Sequence, residues 1–90
     1  MNEPRTMEVP GELLAGAGKA LFGDEWQSPL ARRLRIELRT VQRWAKAARE
    51  GSTYRVSRGL YEQLLGALER DAFRIQQAFD QLRAFYDAQG

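Results

Sequence analysis

The sequence predicts an all-α fold, in which two short helices joined by a tight turn are followed by one long C-terminal helix. Two observations support this prediction. Residues 30–44 repeat apolar side chains at helical spacing on both sides of a short break, and residues 61–86 continue helical spacing as a heptad pattern. With 90 residues, the chain has room for one small domain, whose core alone gives marginal stability.

The N-terminal third is predicted to contain a tail and one helix. Residues 1–9 show no period, so we expect a flexible tail there. Pro10 suits the first turn of a helix, and Gly23 suits its end. Gly16 and Gly18 interrupt this helix, and each either weakens it by about 1 kcal/mol or permits close packing against a neighbouring helix. The sequence leaves both interpretations of the glycines open.

The central segment is predicted to form the two short helices. Ser28 and Pro29 suit the cap and the first position of the earlier helix. The later helix begins near Leu38 and stops at the run 50–53, after which residues 54–56 suit a short extended piece. The apolar residues expected in the core of this segment are Trp26, Leu30, Ala31, Leu34, Val41, Trp44, Ala45 and Ala48.

The later of these short helices has a polar face of one charge sign. On a helical wheel, Gln42, Arg43 and Lys46 fall within roughly 60° of Arg39. The charge of the whole chain is segregated in the same way, although its net value is only +2. Residues 28–58 hold nine basic and two acidic side chains, whereas both flanking segments are net acidic. This distribution is typical of a protein that binds a phosphate backbone.

The composition excludes several classes of function. The chain has no cysteine and no histidine, which excludes a disulfide scaffold, a Cys/His zinc site and a nucleophile–histidine pair. We therefore expect neither an enzyme nor a cofactor, and no small-molecule ligand is evident. The apolar runs are too short to span a bilayer and no signal-peptide pattern opens the chain, so a cytoplasmic protein without a membrane partner is expected.

The long helix is predicted from Ser57 to about Tyr86, and we assign it the region 59–90. It carries what we term the heptad stripe, whose members are spaced alternately by four and three residues: Tyr61, Leu65, Leu68, Ala72, Ile75, Phe79, Leu82 and Tyr86. The first half is widened by Leu60, Leu64 and Ala67, which suits covering the core of region 10–58.

In the second half of this helix we expect a homodimer interface. The reason is that an apolar stripe left in water costs about 1.5–3 kcal/mol per large side chain. The alternative is a monomer in which the long helix folds back across the first helix. The residues predicted for the dimer interface are Ala72, Ile75, Phe79, Leu82 and Tyr86.

Residues within the segment 27–58 are predicted to make two kinds of contact with double-stranded DNA. The side chains expected to contact base edges in the major groove are Leu38, Arg39, Gln42 and Arg43. Phosphate contacts are expected from Gln27, Ser28, Arg32, Arg33, Thr40, Lys46, Arg55 and Arg58. A two-fold dimer then requires half-sites about one turn of DNA apart.

The run 27–46 resembles the helix-turn-helix unit of small phage and bacterial regulators of the lambda-repressor/Cro-like class. The resemblance rests on Ala31 in the first helix, Arg35 at the turn, and Val41 and Trp44 in the second helix. Arg35 replaces the usual turn glycine, and Glu37 replaces the usual Ser or Asp cap. The resemblance implies a helix-turn-helix DNA-binding domain in a regulator of phage, prophage or plasmid origin. Together with the dimer expected from the long helix, it leads us to expect a homodimeric transcriptional repressor.

Two other functions are compatible with the sequence. One is a helical protein-interaction adaptor, which uses the long helix and merely keeps a basic surface. The other is a DNA-binding antitoxin or recombination accessory factor, which uses the same fold in a different assembly. An adaptor is expected not to bind a random DNA duplex even at low salt, which separates it from the other hypotheses.

Overall fold

The computed structural model describes residues 5–89. Within this range 76% of the residues are helical, in four helices, and a two-stranded sheet completes the fold. The elements in chain order are β1 (Thr6–Pro10), α1 (Gly11–Phe22), α2 (Gln27–Leu34), α3 (Leu38–Glu50), β2 (Thr53–Ser57) and α4 (Arg58–Gln89). The predicted helical class is therefore confirmed, but the sheet means that the fold is not all-α.

The sheet corrects the predicted N-terminal tail. Residues 6–9 belong to β1, which pairs antiparallel with β2 and places Val9 opposite Tyr54; residues 1–4 lie outside the described range. Both strands alternate outward and inward side chains, so Val9 and Val56 enter the core. The strands are short and far apart in the sequence, so their pairing is not evident from local spacing. The extended piece predicted before the long helix lies within β2.

Two glycines of α1 have different environments. A Cβ at Gly18 would overlap the indole ring of Trp26, whereas a Cβ at Gly16 would meet no other atom within 4 Å. Gly18 therefore permits close packing against the segment before α2, and Gly16 faces open space. At the start of the helix, Gly11 lies against the backbone of α3, again with no room for a Cβ. The helix ends at Gly23 as predicted, where φ is +80°.

The core lies where α1, α2 and α3 meet the sheet and the first half of α4. The residues predicted for the core of the central segment are buried, except for the half-buried Ala48. Ala47 is also buried, although the helical wheel puts it beside the polar face, because Gly11 of α1 packs against it. The core cluster consists of Val9, Leu14, Ala15, Trp26, Leu30, Ala31, Leu34, Val41, Trp44, Ala45, Val56 and Leu64.

The connection between α2 and α3 is a Schellman motif with a left-handed residue. Arg35 has φ 57° and ψ 47°, and its backbone N–H donates to the Arg32 carbonyl at 3.3 Å. The Ile36 N–H donates to the Ala31 carbonyl at 3.0 Å, which completes the motif. A left-handed conformation costs a non-glycine residue about 1–2 kcal/mol. The end of α3 uses the same motif with glycine, since Gly51 has φ 66°.

The beginning of α2 also departs from the prediction. The helix starts at Gln27, one residue before the predicted cap. Its first internal hydrogen bond runs from the Leu30 N–H to the Trp26 carbonyl at 3.0 Å. Pro29 lies in the first turn, where a backbone N–H has no helical partner, so the missing N–H costs nothing. Trp26 at this helix and Glu37 at α3 make no side-chain cap hydrogen bond.

The last helix extends far beyond the body of the protein, by which we mean β1, α1, α2, α3, β2 and the first half of α4. The buried residues of α4 are Leu64 and Ala67. From Ala72 to the last described residue, every side chain is exposed. The described chain is accordingly elongated, with dimensions of 57 × 33 × 23 Å. Because nothing shields its second half, α4 does not fold back across α1, and the fold-back alternative is wrong.

Candidate nucleic-acid interface

The outer side of α3 carries the predicted polar residues in one exposed row. We term this row the basic face, and it consists of Arg39, Gln42, Arg43 and Lys46, all of which are exposed. On the opposite side of the helix, Val41 and Trp44 are 0% exposed. The helix is therefore held by its buried side while the basic face points to solvent, and α4 does not cover it.

The packing of α2 fixes the direction of α3. Ala31 of α2 is buried in the core, and its small side chain suits a close approach of neighbouring helices. Arg35 and the extended Glu37, with φ −68° and ψ 141°, turn the chain between the helices. Leu38 is 40% exposed at the first residue of α3, and Thr40 behind it is half-buried. The N-terminal turn of α3 is thus accessible at Leu38 and Arg39.

Charge on the basic face is largely uncompensated. Within residues 5–89, Arg39, Gln42 and Arg43 form no ion pair or side-chain hydrogen bond. Lys46 lies 3.8 Å from the Glu50 carboxylate, but both side chains are more than half exposed, so the pair contributes only about 0–1 kcal/mol. The two arginines are four residues apart and repel each other along the helix. A bound polyanion would relieve this repulsion.

Three predicted phosphate contacts meet at the start of α2. Ser28 and Arg32 are exposed and Gln27 is half-buried, and all three line one shallow pocket. The first backbone N–H groups of a helix have no helical partner, which suits an anion. Asp24 and Glu25 line the same pocket, and their carboxylates lower the positive potential there.

Arg33 has a different partner from the one predicted. Its guanidinium lies 3.6 Å from the Asp71 carboxylate of α4, and the two side chains are only 30% and 19% exposed. Arg74 contacts the same carboxylate from within α4. Arg33 therefore faces α4 rather than solvent and helps to hold α4 against α2. The predicted phosphate contact of Arg33 stays a prediction. The sequence does not indicate this ion pair, because it does not show where α4 packs.

The remaining predicted phosphate contacts lie at the sheet. The Arg55 Nε donates to the Glu8 carboxylate at 3.1 Å, and the Thr53 hydroxyl donates to the same carboxylate at 2.9 Å. These bonds, the one from Thr53 first, lower the pKa of Glu8 below its usual value. Arg58 is exposed at the start of α4, and its backbone N–H donates to the Arg5 carbonyl at 2.9 Å. Arg55 of β2 and Arg58 of α4 therefore both lie outside α3, which carries the basic face.

Two further cations are candidates for anion binding, although residue spacing does not identify them. Lys19 of α1 and Arg49 of α3 line one shallow pocket together with Gln27 of α2. Both cations are exposed, and neither has an ion pair within the described part of the chain. Their proximity depends on how α1 crosses α3, which local spacing does not encode. Their shared charge sign is the one signal in the sequence.

No protein-family model, curated protein or solved structure matches this chain. Among the helices described, none combines the length and the apolar character needed to cross a membrane. Between residues 5 and 89, no three His, Cys, Asp or Glu side chains come together as possible metal ligands. The geometry of α2 and α3 is therefore the basis for a functional assignment.

Proposed function

We propose that the protein is a sequence-specific regulator that binds double-stranded DNA, with α2 and α3 acting as a helix-turn-helix and α3 entering the major groove. The basic face carries this proposal. It presents two exposed arginines without ion pairs, one helical turn apart, on a helix that is anchored on its opposite side by the fully buried Val41 and Trp44. A helix held in this way keeps its side chains in a constant register with the base pairs.

The chemistry of the basic face matches that of base edges. The guanidinium groups of Arg39 and Arg43 suit guanine O6 and N7, and the Gln42 amide suits adenine N6 and N7. Leu38, exposed at the first residue of α3, suits a thymine methyl group. Each good paired contact gives about 1–3 kcal/mol of discrimination against the wrong base. One subunit would therefore be modestly selective.

Phosphate contacts would surround these base contacts. The first N–H groups of α2, at Gln27 and Ser28, suit one phosphate, with Arg32 beside them. The pocket that Lys19 and Arg49 share with Gln27 adds two cations between α1 and α3. Lys46 and Arg55 form exposed ion pairs with carboxylates. Because such pairs are weak, each cation can leave its carboxylate for a phosphate at a small cost in free energy. Thr40, Lys46, Arg55 and Arg58 complete the proposed phosphate contacts.

We further infer a transcriptional repressor that acts in the cytoplasm as a homodimer. A small protein that occupies a promoter blocks polymerase without needing a cofactor. An antitoxin or recombination accessory factor would make the same DNA contacts in a different assembly, so it remains an alternative within the DNA-binding class.

One observation favours a second class of function. The exposed half of the heptad stripe suits a protein-interaction adaptor, which would use α4 and leave the basic face without a ligand. Binding to DNA at different salt concentrations separates the two classes. DNA binding loses affinity steeply with salt, with a log–log slope of about −0.9 for each phosphate neutralised. An adaptor would show no binding at low micromolar protein, even at low salt.

The test measures binding of the full chain to a random-sequence duplex by fluorescence anisotropy. Lys46→Ala, which removes a proposed phosphate contact from the basic face, should weaken binding by roughly fivefold to tenfold and make the salt slope shallower by about one unit. Arg70→Ala, which removes an exposed cation from α4, is the matched control and should leave affinity unchanged. Equal losses for the two variants, or no binding by the wild type at low salt, would contradict the proposal.

A further inference from the structure

The second half of α4 leaves a broad apolar face in water. Ile75, Phe79, Leu82 and Tyr86 of the heptad stripe are 67%, 57%, 73% and 73% exposed, and Phe85 beside them is 68% exposed. An aromatic side chain has on the order of 200 Å² of surface, so these five residues expose roughly 600–700 Å². Each subunit of a standard interface contributes about 600–1,000 Å², so the exposed area of this face reaches the lower end of that range.

This face continues into an apolar groove on the body. The groove is lined by Leu13 and Ala17 of α1 and by Tyr61, Leu65 and Leu68 of α4. Leu13 and Leu65 are both more than half exposed. The three α4 residues belong to the heptad stripe, so the groove and the second half of α4 form one continuous apolar surface. A single long apolar helix would cover both.

We propose that a second copy of this chain covers this surface, with the two α4 helices antiparallel and their two-fold axis beside residue 77. A heptad stripe pairs along its length with a matching stripe, and the chain itself supplies one. The layers across the interface are Ile75 with Phe79 of the partner subunit, Ala72 with Leu82 of the partner subunit, and Leu68 with Tyr86 of the partner subunit. The last layer brings an aromatic ring to the groove on the body.

Side-chain volume favours the antiparallel direction. In a parallel pair every stripe residue faces its own copy, so two Ala72 side chains would leave a gap and two Phe79 rings would crowd each other. In the antiparallel pair, Ala72 faces Leu82 of the partner subunit, and the two-fold axis repeats this contact. Interfaces pack best when large and small side chains alternate in this way, because empty space and overlap both cost free energy.

Charge favours the same direction. Glu69 and Arg83 lie on one flank of the stripe, two heptads apart. Antiparallel pairing brings Glu69 next to Arg83 of the partner subunit, twice by symmetry. Parallel pairing would place Asp71 beside Gln76 and Ala78 beside Arg83, which forms no ion pair. In the described part of the chain Glu69 has no ion-pair partner, and Arg83 has only exposed contacts within its own helix.

This inference uses no residue of α3 and goes beyond the proposed DNA binding. Failure of one therefore leaves the other intact. A monomer that still binds DNA with a steep salt dependence would contradict the pairing of α4 and the inferred homodimer, but not the proposed DNA binding. A dimer with no affinity for DNA would contradict only the proposed function.

Disulfide trapping tests the pairing and its direction. The chain has no cysteine, so an introduced thiol is the sole thiol present. Full-length Ala72→Cys and Leu82→Cys chains, one carrying a size tag, are mixed and oxidised. Antiparallel pairing predicts a mixed disulfide at least about tenfold more abundant than either self-linked product. Predominant self-linked products would overturn the antiparallel direction, and a wild-type chain that sediments as a monomer at about 100 µM would overturn self-pairing.

Charge reversal tests the register independently. Glu69→Lys and Arg83→Glu should each raise the dimer dissociation constant, by about threefold to tenfold in sedimentation equilibrium, and the double variant should restore the wild-type value. Arg70→Glu, on the outer side of α4, is the matched control and should change little. All these side chains are exposed, so circular dichroism should give the same helical content for every variant. A double variant that fails to recover would overturn the register.

Discussion

The two halves of α4 both carry apolar side chains at helical spacing, but they lie in opposite environments. In the first half, Leu64 and Ala67 are buried. The Asp71 carboxylate forms an ion pair with Arg33 of α2. In the second half, Ile75 and Leu82 of the heptad stripe are 67% and 73% exposed. Helical spacing therefore predicts that a face needs to be covered. It does not predict whether the same chain covers it.

The largest expected effect separates these halves directly. In a Phe79→Asp background, which we expect to be monomeric, Leu64→Ala should lower the free energy of unfolding by about 2–5 kcal/mol, because it leaves a cavity in the core. Ile75→Ala in the same background should change it by less than about 0.5 kcal/mol, because the side chain is exposed. Urea denaturation followed by circular dichroism measures both values. Similar losses would mean that the second half packs on the body after all.

A second pair of variants sharpens the description of the body. Gly18→Ala should destabilise the protein by about 1–3 kcal/mol, because the new methyl group overlaps the buried Trp26 ring. Gly16→Ala should stabilise it by up to about 1 kcal/mol, because alanine favours the helix and the space there is open. Thermal unfolding of the two variants provides the comparison. A shift of the same sign in both would be inconsistent with the close approach at Gly18.

The ends of α2 and α3 allow a smaller, paired test. Arg35→Gly should raise the free energy of unfolding by about 0.5–1 kcal/mol, because glycine removes the left-handed strain but adds entropy to the unfolded chain. Gly51→Ala should lower it by about 1 kcal/mol for the converse reason. The urea midpoints of both variants give the result. If Arg35→Gly were destabilising, the arginine side chain would have to make a contact that offsets its backbone.

The smallest effect concerns the sheet. The Thr53 and Arg55 bonds lower the pKa of Glu8, so the carboxylate stabilises the fold above the usual glutamate pKa of about 4.5. That contribution is lost as the pH falls through the lower pKa of the folded protein. The melting temperature of Glu8→Gln should therefore fall less between pH 5 and pH 3 than that of the wild type. Glu12→Gln, which changes an exposed carboxylate of α1, serves as the control. If the melting temperatures of Glu8→Gln and the wild type depended on pH in the same way, the stabilising role of Glu8 would be contradicted.

The helices could be predicted because their signals are local. Pro10 and Gly23 bound α1, and the buried residues of α2 and α3 follow helical spacing. The basic face also follows from spacing, since four polar residues share one side of a helix. Their exposure was the expectation on which the functional hypothesis depended, and the structure meets it.

The parts that could not be predicted depend on contacts between distant segments. β1 becomes a strand because β2 pairs with it, and Gly18 is required because Trp26 packs on it. The ion pair of Arg33 could not be foreseen, because its partner Asp71 lies 38 residues away in sequence, on α4. Each of these features needs the arrangement of the helices in space, which residue spacing along one helix does not contain.

Selection of bound duplexes from a random pool tests the central claim, that the basic face contacts bases, most directly. The account predicts a shared motif among the DNA sequences bound by the wild type. Arg43→Ala should lose preference at one or two base pairs, whereas Arg55→Ala should weaken binding to all sequences about equally. A pool with no enriched motif, or two variants that both act uniformly on all sequences, would contradict the placement of α3 in the major groove.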